Sequence, residues 1–418
     1  MDPALGLYIS IPFCRAKCTY CNFASGVFPA SDHTRYIDRL CQDLHAAPAR
    51  ARREHWLLPR ALGSIYLGGG TPSTLEPAHL RRLFAAIGQV FPIQPAAEIT
   101  VECAPGQIEP AFLEAMLAVG VTRVSLGVQS MIDAEAAATG RSHTRAIVQQ
   151  DVRRLHAVGL AVNLDLIAGL PGQTAQSWRE SVEAVCSLGV EHASLYMLEV
   201  DEDSRLGREL IGGGRRYGAG LIPNDDAIAA MYEEGCALFA ESGLPQYEIS
   251  NFAAPAHHSR HNLRYWLRQP YLGLGLDAHS MLHRAGGGIV RFRTPDELPL
   301  YLDDAPGSIE PVDAAAQLEE AWFLGLRLHR GLSLTDLQAE FGSEAIAACQ
   351  ETLDTLCAEG LVEKTEPLLE KTVGLHTTAD RSSGARVALT PRGRLLSNEV
   401  FSRFLGVSAP LSLPSLQP

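Results

Sequence analysis

The sequence predicts an α/β protein, with a partial (β/α)6 barrel over residues 1–300 and a small winged-helix-like α+β domain over residues 305–418. Short β-branched runs alternate with helical stretches in the first half of the chain, and Gly, Pro or small-residue loops separate them. Near residue 300 the pattern changes to helices with a short strand pair. Alternating strands and helices are typical of a parallel sheet with crossover helices.

Six runs have the β-branched and apolar residues of buried strands. They are GLYISIPF (6–13), SIYLGGG (64–70), EITVECAP (98–105), RVSLGVQS (123–130), AVNLDLIAGLP (161–171) and HASLYMLEV (192–200). The segments between them, such as HTRYIDRLCQDLHAA, have apolar residues at helical spacing. A doubly wound open sheet shares this pattern, but no G-x-G-x-x-G follows the first strand, so the barrel is favoured.

The C-terminal part is predicted to contain two helices, a strand pair and a closing helix. AAQLEEAWFLGLRLHRGLSLTDLQAEFG supplies the helices, and GLVEK with RVALTPRGRLLSNEVFSRFL supplies the rest. The Ser, Thr and Gly residues of the stretch 376–388 predict a hairpin tip. The segment is not strongly basic, so packing or partner docking is favoured over DNA binding.

Charge and cysteine usage limit the function classes. The formal net charge of −13 argues against a nucleic-acid partner held by phosphate contacts. No basic leader and no apolar run near the ~20 residues of a membrane span is present, which predicts a cytoplasmic protein that is not integral to a membrane. Six of the nine cysteines are scattered singly, as reduced core thiols are.

The other three cysteines form C-x3-C-x2-C: Cys14, Cys18 and Cys21, with no further cysteine until Cys41. A structural zinc site wants four ligands, commonly as two CxxC pairs, and fits this loop poorly. A [4Fe–4S] cluster has four irons that each take one outer ligand, so three thiolates leave one iron open to a small molecule. A zinc site or buried thiols remain the alternatives.

Unusual residues lie at the predicted C-terminal strand ends, where barrel and open α/β sheets place their chemistry. GGGTP (68–72) allows close backbone approach to a polar ligand. Glu102, Gln129, Arg141 and Asp165 offer carboxylates for hydroxyls and cations, and a guanidinium for a carboxylate. Taken singly, each such residue is more often a surface or capping residue.

The cysteine loop, with Tyr20 before its last cysteine, resembles that of the radical S-adenosylmethionine (SAM) superfamily. From Gly6 to about Phe404 the chain is similar to the HemN/HemW group, related to oxygen-independent coproporphyrinogen III oxidase, through YISIPFC, YLGGGTPS, SLGVQS, DLIAGLPGQT, YEISNFA, RHNLRYW and YLGLGLDAHS. The resemblance implies a [4Fe–4S] cluster on the three cysteines, with SAM chelating the open iron. It also implies SAM contacts from Tyr8, Gly69, Gly70, Thr71, Glu102, Gln129, Arg141 and Asp165.

Two features distinguish members of the group. The oxidase has a further cysteine two positions beyond the third cluster cysteine, where this chain has Phe23, which argues against decarboxylating oxidase activity. HNLRYW (261–266) looks like the H-N-x-x-Y-W motif of the HemW haem chaperones, and makes His261 the candidate haem ligand. Its imidazole can ligate iron and its aromatic rings can stack on a porphyrin. A lone histidine is otherwise more often structural.

The resemblance implies a haem chaperone that binds haem, passes it to an apo-protein acceptor and takes electrons from a donor. A radical oxidase acting on a porphyrinogen needs the same cluster and SAM residues and is the alternative. Two weaker alternatives are a degenerate family member that uses the barrel only as a scaffold and a metal-storage role for the histidines. His257, His258 and His279 lie close to His261 in sequence, so the ligating imidazole is open.

Two departures from the family pattern stand out. Cys103 and Ala104 replace an Ala-Asn pair after Glu102, which removes an amide from the predicted SAM lining. Asp277 occupies a position where a small residue is usual.

Overall fold

The computed structural model describes residues 4–365 and 385–407. Within this part of the chain most strands belong to one 13-stranded sheet, and three form a second sheet. The strands are β1 (Leu5–Ile11), β2 (Trp56–Leu57), β3 (Leu62–Gly69), β4 (Ile93–Cys103), β5 (Arg123–Gln129), β6 (Ala161–Ala168), β7 (His192–Met197), β8 (Gln246–Glu248), β9 (Asn251–Ala253), β10 (Tyr271–Leu274), β11 (His279–Arg284), β12 (Ile289–Arg293), β13 (Ser308–Val312), β14 (Leu332–Ser333), β15 (Val362–Thr365) and β16 (Arg386–Leu389).

Helices cover the outer face of the large sheet and form most of the C-terminal part. They are α1 (Ala30–Arg53), α2 (Pro77–Val90), α3 (Pro110–Ala118), α4 (Asp133–Ala138), α5 (Arg145–Ala157), α6 (Ala175–Cys186), α7 (Arg205–Gly212), α8 (Asp225–Glu241), α9 (Arg260–Trp266), α10 (Leu298–Leu302), α11 (Ala314–Leu326), α12 (Leu334–Phe341), α13 (Ser343–Ala348), α14 (Gln350–Ala358), α15 (Pro391–Leu395) and α16 (Ser397–Ser402). Among the described residues, none of these helices is long and apolar enough to cross a bilayer.

The six predicted strands form the barrel. Strands β1, β3, β4, β5, β6 and β7 lie side by side in this order, and each pair is parallel. Strand β1 is buried on both faces except at Tyr8, which is partly exposed toward the interior of the barrel. Burial on both faces is typical of parallel strands covered by helices, so the predicted partial (β/α)6 barrel is confirmed.

The sheet continues beyond β1 through four strands that the sequence analysis did not predict. Strand β10 pairs parallel with β1, and β11, β12 and β13 follow in antiparallel order. The alternating residues of HSMLHR and IVRFR, joined at Gly286–Gly288, are the hairpin signal for β11 and β12. Strand β13 completes the large sheet although it lies inside the predicted C-terminal range 305–418.

The C-terminal part has its own core. Helices α11 to α16 pack with the antiparallel sheet β14–β16–β15, and the rings of Trp322 and Phe404 stack 4.6 Å apart at its centre. This arrangement has the predicted α+β composition. Residues 376–384 of the predicted hairpin tip lie outside the described residues.

Helix α9, which contains HNLRYW, closes the N-terminal end of the barrel. The Ser259 hydroxyl caps the helix by accepting from the Asn262 amide, and the Glu98 carboxylate accepts from the first two helical amides. The Arg264 side chain lies against the first residues of β1 and β3, and its Nε donates to Ser64 Oγ at 2.8 Å. The cysteine loop follows the C-terminal end of β1, so the two motifs lie at opposite ends of the barrel.

Candidate cluster and cofactor site

The loop after β1 presents the three cysteines. Its base is closed by two backbone hydrogen bonds, from Cys14 to the Gly26 carbonyl at 2.8 Å and from Gly26 to the Pro12 carbonyl at 2.9 Å. The thiols of Cys14, Cys18 and Cys21 are free and partly exposed. Burial raises the pKa of the Cys14 thiol, while Thr71 Oγ1 donates to its sulfur at 3.6 Å and favours the thiolate.

The loop fits an iron–sulfur cluster better than zinc. Over residues 4–365 and 385–407, no three His, Cys, Asp or Glu side chains converge closely enough to hold a single metal ion. Zinc would need such convergence on one point. In a cluster each thiolate binds a different iron, so the three sulfurs need not converge.

The glycines at the end of β3 hold the strand against this loop. A Cβ at Gly70 would lie 2.8 Å from the Ile11 carbonyl oxygen and 2.9 Å from that of Phe13. The amides of Gly70 and Thr71 donate to these two carbonyls. Gly68 instead leaves room for Glu102, whose Oε1 would lie 2.9 Å from an added Cβ. Glycine is therefore needed at Gly68 and Gly70 because other parts of the chain lie where a Cβ would stand.

Substituting Gly70 with alanine is expected to displace the cysteine loop, because the added Cβ meets only backbone atoms. We expect a loss of about 1–3 kcal/mol in the free energy of unfolding and weaker iron incorporation. Gly88→Ala is the matched control, since a Cβ at Gly88 meets nothing within 4 Å. Equal iron and sulfide content in both variants would contradict this reading of Gly70.

Two acidic side chains project into the barrel below the strand ends. Glu102 and Asp165 are both partly exposed. Glu102 Oε1 accepts from the Tyr66 hydroxyl at 2.7 Å, and burial raises the pKa of Glu102 to about 7, against the effect of that hydrogen bond. Burial also raises the pKa of Asp165, which accepts from Asn163 Nδ2 at 2.8 Å and Ser125 Oγ at 3.1 Å. The interior is therefore polar and supplied with acceptors.

Arg141 brings a cation to the same end of the barrel. Its Nη2 donates to the Tyr20 hydroxyl at 3.4 Å, while its buried Nε has no hydrogen-bond partner. Gly127 leaves room for this side chain and for Gln129, which has a positive φ of 70°. A buried donor without a partner is rare, because its desolvation costs free energy. The guanidinium is thus suited to a carboxylate ligand such as that of SAM.

The structure brings together the predicted cluster and SAM residues, and the ring of His261 lies beneath them at the barrel floor, 6.4 Å from the Tyr8 ring between centroids. The strand residues of that set lie inside the barrel or at its C-terminal end, with Tyr8 beside Tyr66 at 6.2 Å between ring centroids. His261 is 0% exposed at the opposite end. Its Nδ1 lies 2.9 Å from Ser64 Oγ and its Nε2 lies 2.9 Å from the Tyr265 hydroxyl.

The role of His261 as haem ligand therefore stays a prediction, because in this conformation its ring is buried and both of its nitrogens have partners. Arg264 donates to Ser64, so the Ser64 hydroxyl is free to donate to Nδ1 of His261 and leave a proton on Nε2 for Tyr265. Burial lowers the pKa of His261 to about 3, so the ring is neutral. Both nitrogens are engaged, which leaves neither lone pair for iron.

Sequence reasoning missed several residues of this site. Tyr66, Ser125 and Asn163 hydrogen-bond to the two carboxylates, and Tyr20 anchors Arg141. The signal was the alternation along each strand, since Tyr66 precedes Gly68 by two positions and therefore shares its face. Polar residues at alternate positions of strands buried on both faces indicate a polar interior.

The structure shows the contacts of Cys103, Ala104 and Asp277, the residues that depart from the family pattern. Asp277 pairs with Arg293 at 3.3 Å. Burial and the Glu102 carboxylate raise the pKa of the Tyr8 hydroxyl, and Asp277 raises it further by a smaller amount. Cys103 is buried in the core, and the Ala104 amide points to Ser73 Oγ at 3.4 Å.

Comparisons with known proteins agree with this geometry. Residues 8–185 match the radical SAM superfamily and residues 312–370 match the HemN C-terminal domain. The heme chaperone HemW of Lactococcus lactis is 31% identical over 95% of this chain and 96% of its own, and that of Bacillus subtilis is 32% identical over 96% and 98%.

Among solved structures, the coproporphyrinogen III oxidase HemN of Escherichia coli has a TM-score of 0.77 at 22% identity, covering 96% of this chain and 90% of its own. This likeness shows the shared fold. Similarity to the HemW proteins extends over nearly the whole chain, so the chain belongs to the HemW family of the radical SAM superfamily.

Proposed function

We propose that the protein is a haem chaperone that binds haem and transfers it to an apo-protein, using a [4Fe–4S] cluster and SAM. The observation that carries this proposal is the similarity to relatives named heme chaperone HemW over 95% of the chain. Phe23, in place of the oxidase's further cysteine, supports it.

Cys14, Cys18 and Cys21 are the proposed ligands of three irons, and SAM is the proposed ligand of the fourth. Arg141 is placed to bind the SAM carboxylate through its unpartnered Nε, while Glu102 and Asp165 offer acceptors. Tyr8, Gly69, Gly70, Thr71 and Gln129 complete the proposed lining. The [4Fe–4S] cluster would supply one-electron chemistry when bound, and the residues of this chain would hold and orient it.

Haem delivery requires two states that differ in affinity for haem or for the acceptor. The proposed partners are therefore haem, a haem-accepting apo-protein and an electron donor to the cluster. The cytoplasm is the proposed compartment, because reduced thiols persist there.

A radical oxidase acting on a porphyrinogen is the second candidate. It is favoured by the fold shared with HemN, whose structure is described as a coproporphyrinogen III oxidase. The polar barrel interior with Glu102 and Asp165 suits that chemistry equally well.

Haem transfer and porphyrinogen turnover distinguish the two candidates. The haem-loaded protein is mixed anaerobically with an apo-cytochrome, with reductant and SAM, and transfer is followed by optical absorption. The chaperone proposal expects faster transfer than from free haem, and no vinyl product from coproporphyrinogen III. Vinyl product without haem transfer would favour the oxidase.

SAM affinity is expected to rise with pH through about 7, where Glu102 ionises. The carboxylate form attracts the sulfonium and accepts from ribose hydroxyls better than the acid does. If only the ionised form binds well, affinity rises by up to about tenfold between pH 6 and 8. Equilibrium dialysis with labelled SAM measures this. Glu102→Gln is the control and should bind weakly with a flatter profile; an identical profile in both proteins would remove Glu102 from the site.

A further inference from the structure

The motif YEISNFA, which starts at Tyr247, supplies none of the proposed cluster, SAM or haem contacts. Its polar residues Tyr247, Glu248 and Asn251 are nevertheless buried. Buried polar side chains are hydrogen-bonded, so their partners show what the segment connects. Across the sheet, Asn251 pairs with Ser194, and Ser194 pairs with Asp165. Cross-strand neighbours share a face, so the motif lies on the same face of the sheet as a proposed SAM residue.

One chain of hydrogen bonds runs from Asp165 to the start of α9. Asn163 Nδ2 donates to Asp165 Oδ1 at 2.8 Å, and Asn163 Oδ1 lies 2.5 Å from His192 Nδ1. His192 Nε2 lies 2.9 Å from the Tyr247 hydroxyl, which accepts from the Ser259 amide at 3.1 Å. Ser259 is the N-cap of α9. The proposed SAM site and the HNLRYW helix are thus joined through the hydroxyl of Tyr247.

A second chain leaves the same asparagine and reaches the other end of α9. Ser194 Oγ lies 3.2 Å from the amide oxygen of that asparagine and 2.9 Å from Asn251 Oδ1. Asn251 Nδ2 donates to Glu248, whose carboxylate pairs with Arg327 Nη2 at 3.4 Å. The Arg327 guanidinium lies over the ring of Trp266, the last residue of α9, at 4.3 Å. Both ends of α9 are therefore connected to the inner face of the barrel.

The first chain has two possible directions. While the Asp165 carboxylate takes the Asn163 amide hydrogen, the amide oxygen accepts from His192 Nδ1, and His192 Nε2 accepts from Tyr247. Burial lowers the pKa of His192 well below its usual range, so the ring is neutral and carries one proton. A neutral imidazole has two tautomers, and turning the Asn163 amide would select the other, with the proton on Nε2. The chain therefore has two discrete arrangements.

We propose that the YEISN segment couples the SAM site to the HNLRYW helix, with Tyr247 as the positioning residue. This inference rests on the proposed function and adds the route by which SAM alters haem affinity. A SAM hydroxyl or sulfonium at Asp165 changes how strongly the carboxylate holds the neighbouring asparagine, and so shifts the balance between the two arrangements. In one of them Tyr247 donates to His192, and in the other it accepts from both His192 and the Ser259 amide. The seating of α9 at the barrel floor follows that balance.

The position of His261 explains why the seating of α9 matters for haem. His261 lies on α9 between the two connected ends, and both of its ring nitrogens have partners while the helix is seated as described. A shift of the helix that frees the ring also changes the contacts at its ends. The state of the YEISN segment therefore sets part of the free energy needed to present His261 to iron.

The test is a haemin titration, followed in the Soret region, of anaerobically reconstituted wild-type protein and Tyr247→Phe, each with and without SAM. The phenylalanine keeps the ring that stacks on His258 at 4.2 Å and removes only the hydroxyl. We expect SAM to change haem affinity by about fivefold or more in the wild type and by less than about twofold in the variant. Linkage requires haem to change SAM affinity by the same factor, which equilibrium dialysis measures.

Tyr232→Phe is the matched control. Tyr232 is also a buried tyrosine, and its hydroxyl donates to the Ile249 carbonyl at 2.6 Å, within the same segment but on neither chain. Its ratio of haem affinities with and without SAM should stay within about twofold of the wild-type ratio. A loss of stability alone would change haem affinity equally in both conditions, so this ratio distinguishes positioning from a structural role.

The outcomes separate this inference from the chaperone proposal. If the wild type binds no haem, the chaperone proposal itself fails. If it binds haem and Tyr247→Phe keeps the wild-type coupling, the route through Tyr247 is wrong and the chaperone proposal stands. Haem binding that SAM does not change would reject the route, and so would an equal loss of coupling in Tyr232→Phe.

Discussion

Replacing Cys18 with serine is expected to abolish the iron–sulfur cluster. Wild-type protein reconstituted anaerobically should hold about four irons and four sulfides per chain, and the variant should approach background. A serine hydroxyl replaces a thiolate ligand, and the next cysteine along the chain is Cys41 on α1, outside the loop. SAM binding should be lost with the cluster, because the fourth iron is its proposed anchor.

Cys41→Ser is the matched control for this variant. Cys41 is also a free, partly buried thiol, but it lies on α1 and outside the cysteine loop. Its iron and sulfide content should equal that of the wild type. Loss of iron in both variants, or in neither, would show that the loop of Cys14, Cys18 and Cys21 is not the cluster site.

Replacing His261 with alanine is expected to lower the free energy of unfolding by about 2–4 kcal/mol. The substitution leaves a cavity where the buried His261 ring stood and removes the hydrogen-bond partner of the partly buried Tyr265 hydroxyl. The side chain also packs beneath Tyr66, at 5.3 Å between ring centroids. Urea unfolding of the cluster-free protein, followed by circular dichroism, measures the change.

His279→Ala is the control for stability, since the exposed side chain should cost within about 0.5 kcal/mol. The opposite ranking would mean that α9 does not close the barrel in solution. The imidazole of His261 would then be free for iron.

The barrel could be predicted because its strands bear strong local signals. Six β-branched runs, each followed by a loop and helix, gave strand positions close to those found, for example 123–130 against Arg123–Gln129. Strand β10 was missed because it pairs with β1, far away in sequence, whereas β11 and β12 carry a local hairpin signal that was not used. Strand β13 pairs with β12, and this pairing draws it into the large sheet, across the predicted boundary.

The cluster and SAM residues could be inferred because parallel strands bring their C-terminal ends to one edge. His261 shows the limit of this reasoning. Sequence spacing does not reveal that α9 lies at the other end of the barrel, or that Ser64 and Tyr265 occupy both ring nitrogens. The contacts that bury His261 come from β3 and from its own helix, so they appear only in the folded chain.

The most direct test of the chaperone account is an anaerobic haem titration of the wild-type protein, run with and without SAM. The account predicts saturable, stoichiometric binding with a defined Soret band, and a measurable change in affinity when SAM is present. A spectrum that remains that of free haem at all protein concentrations would contradict it.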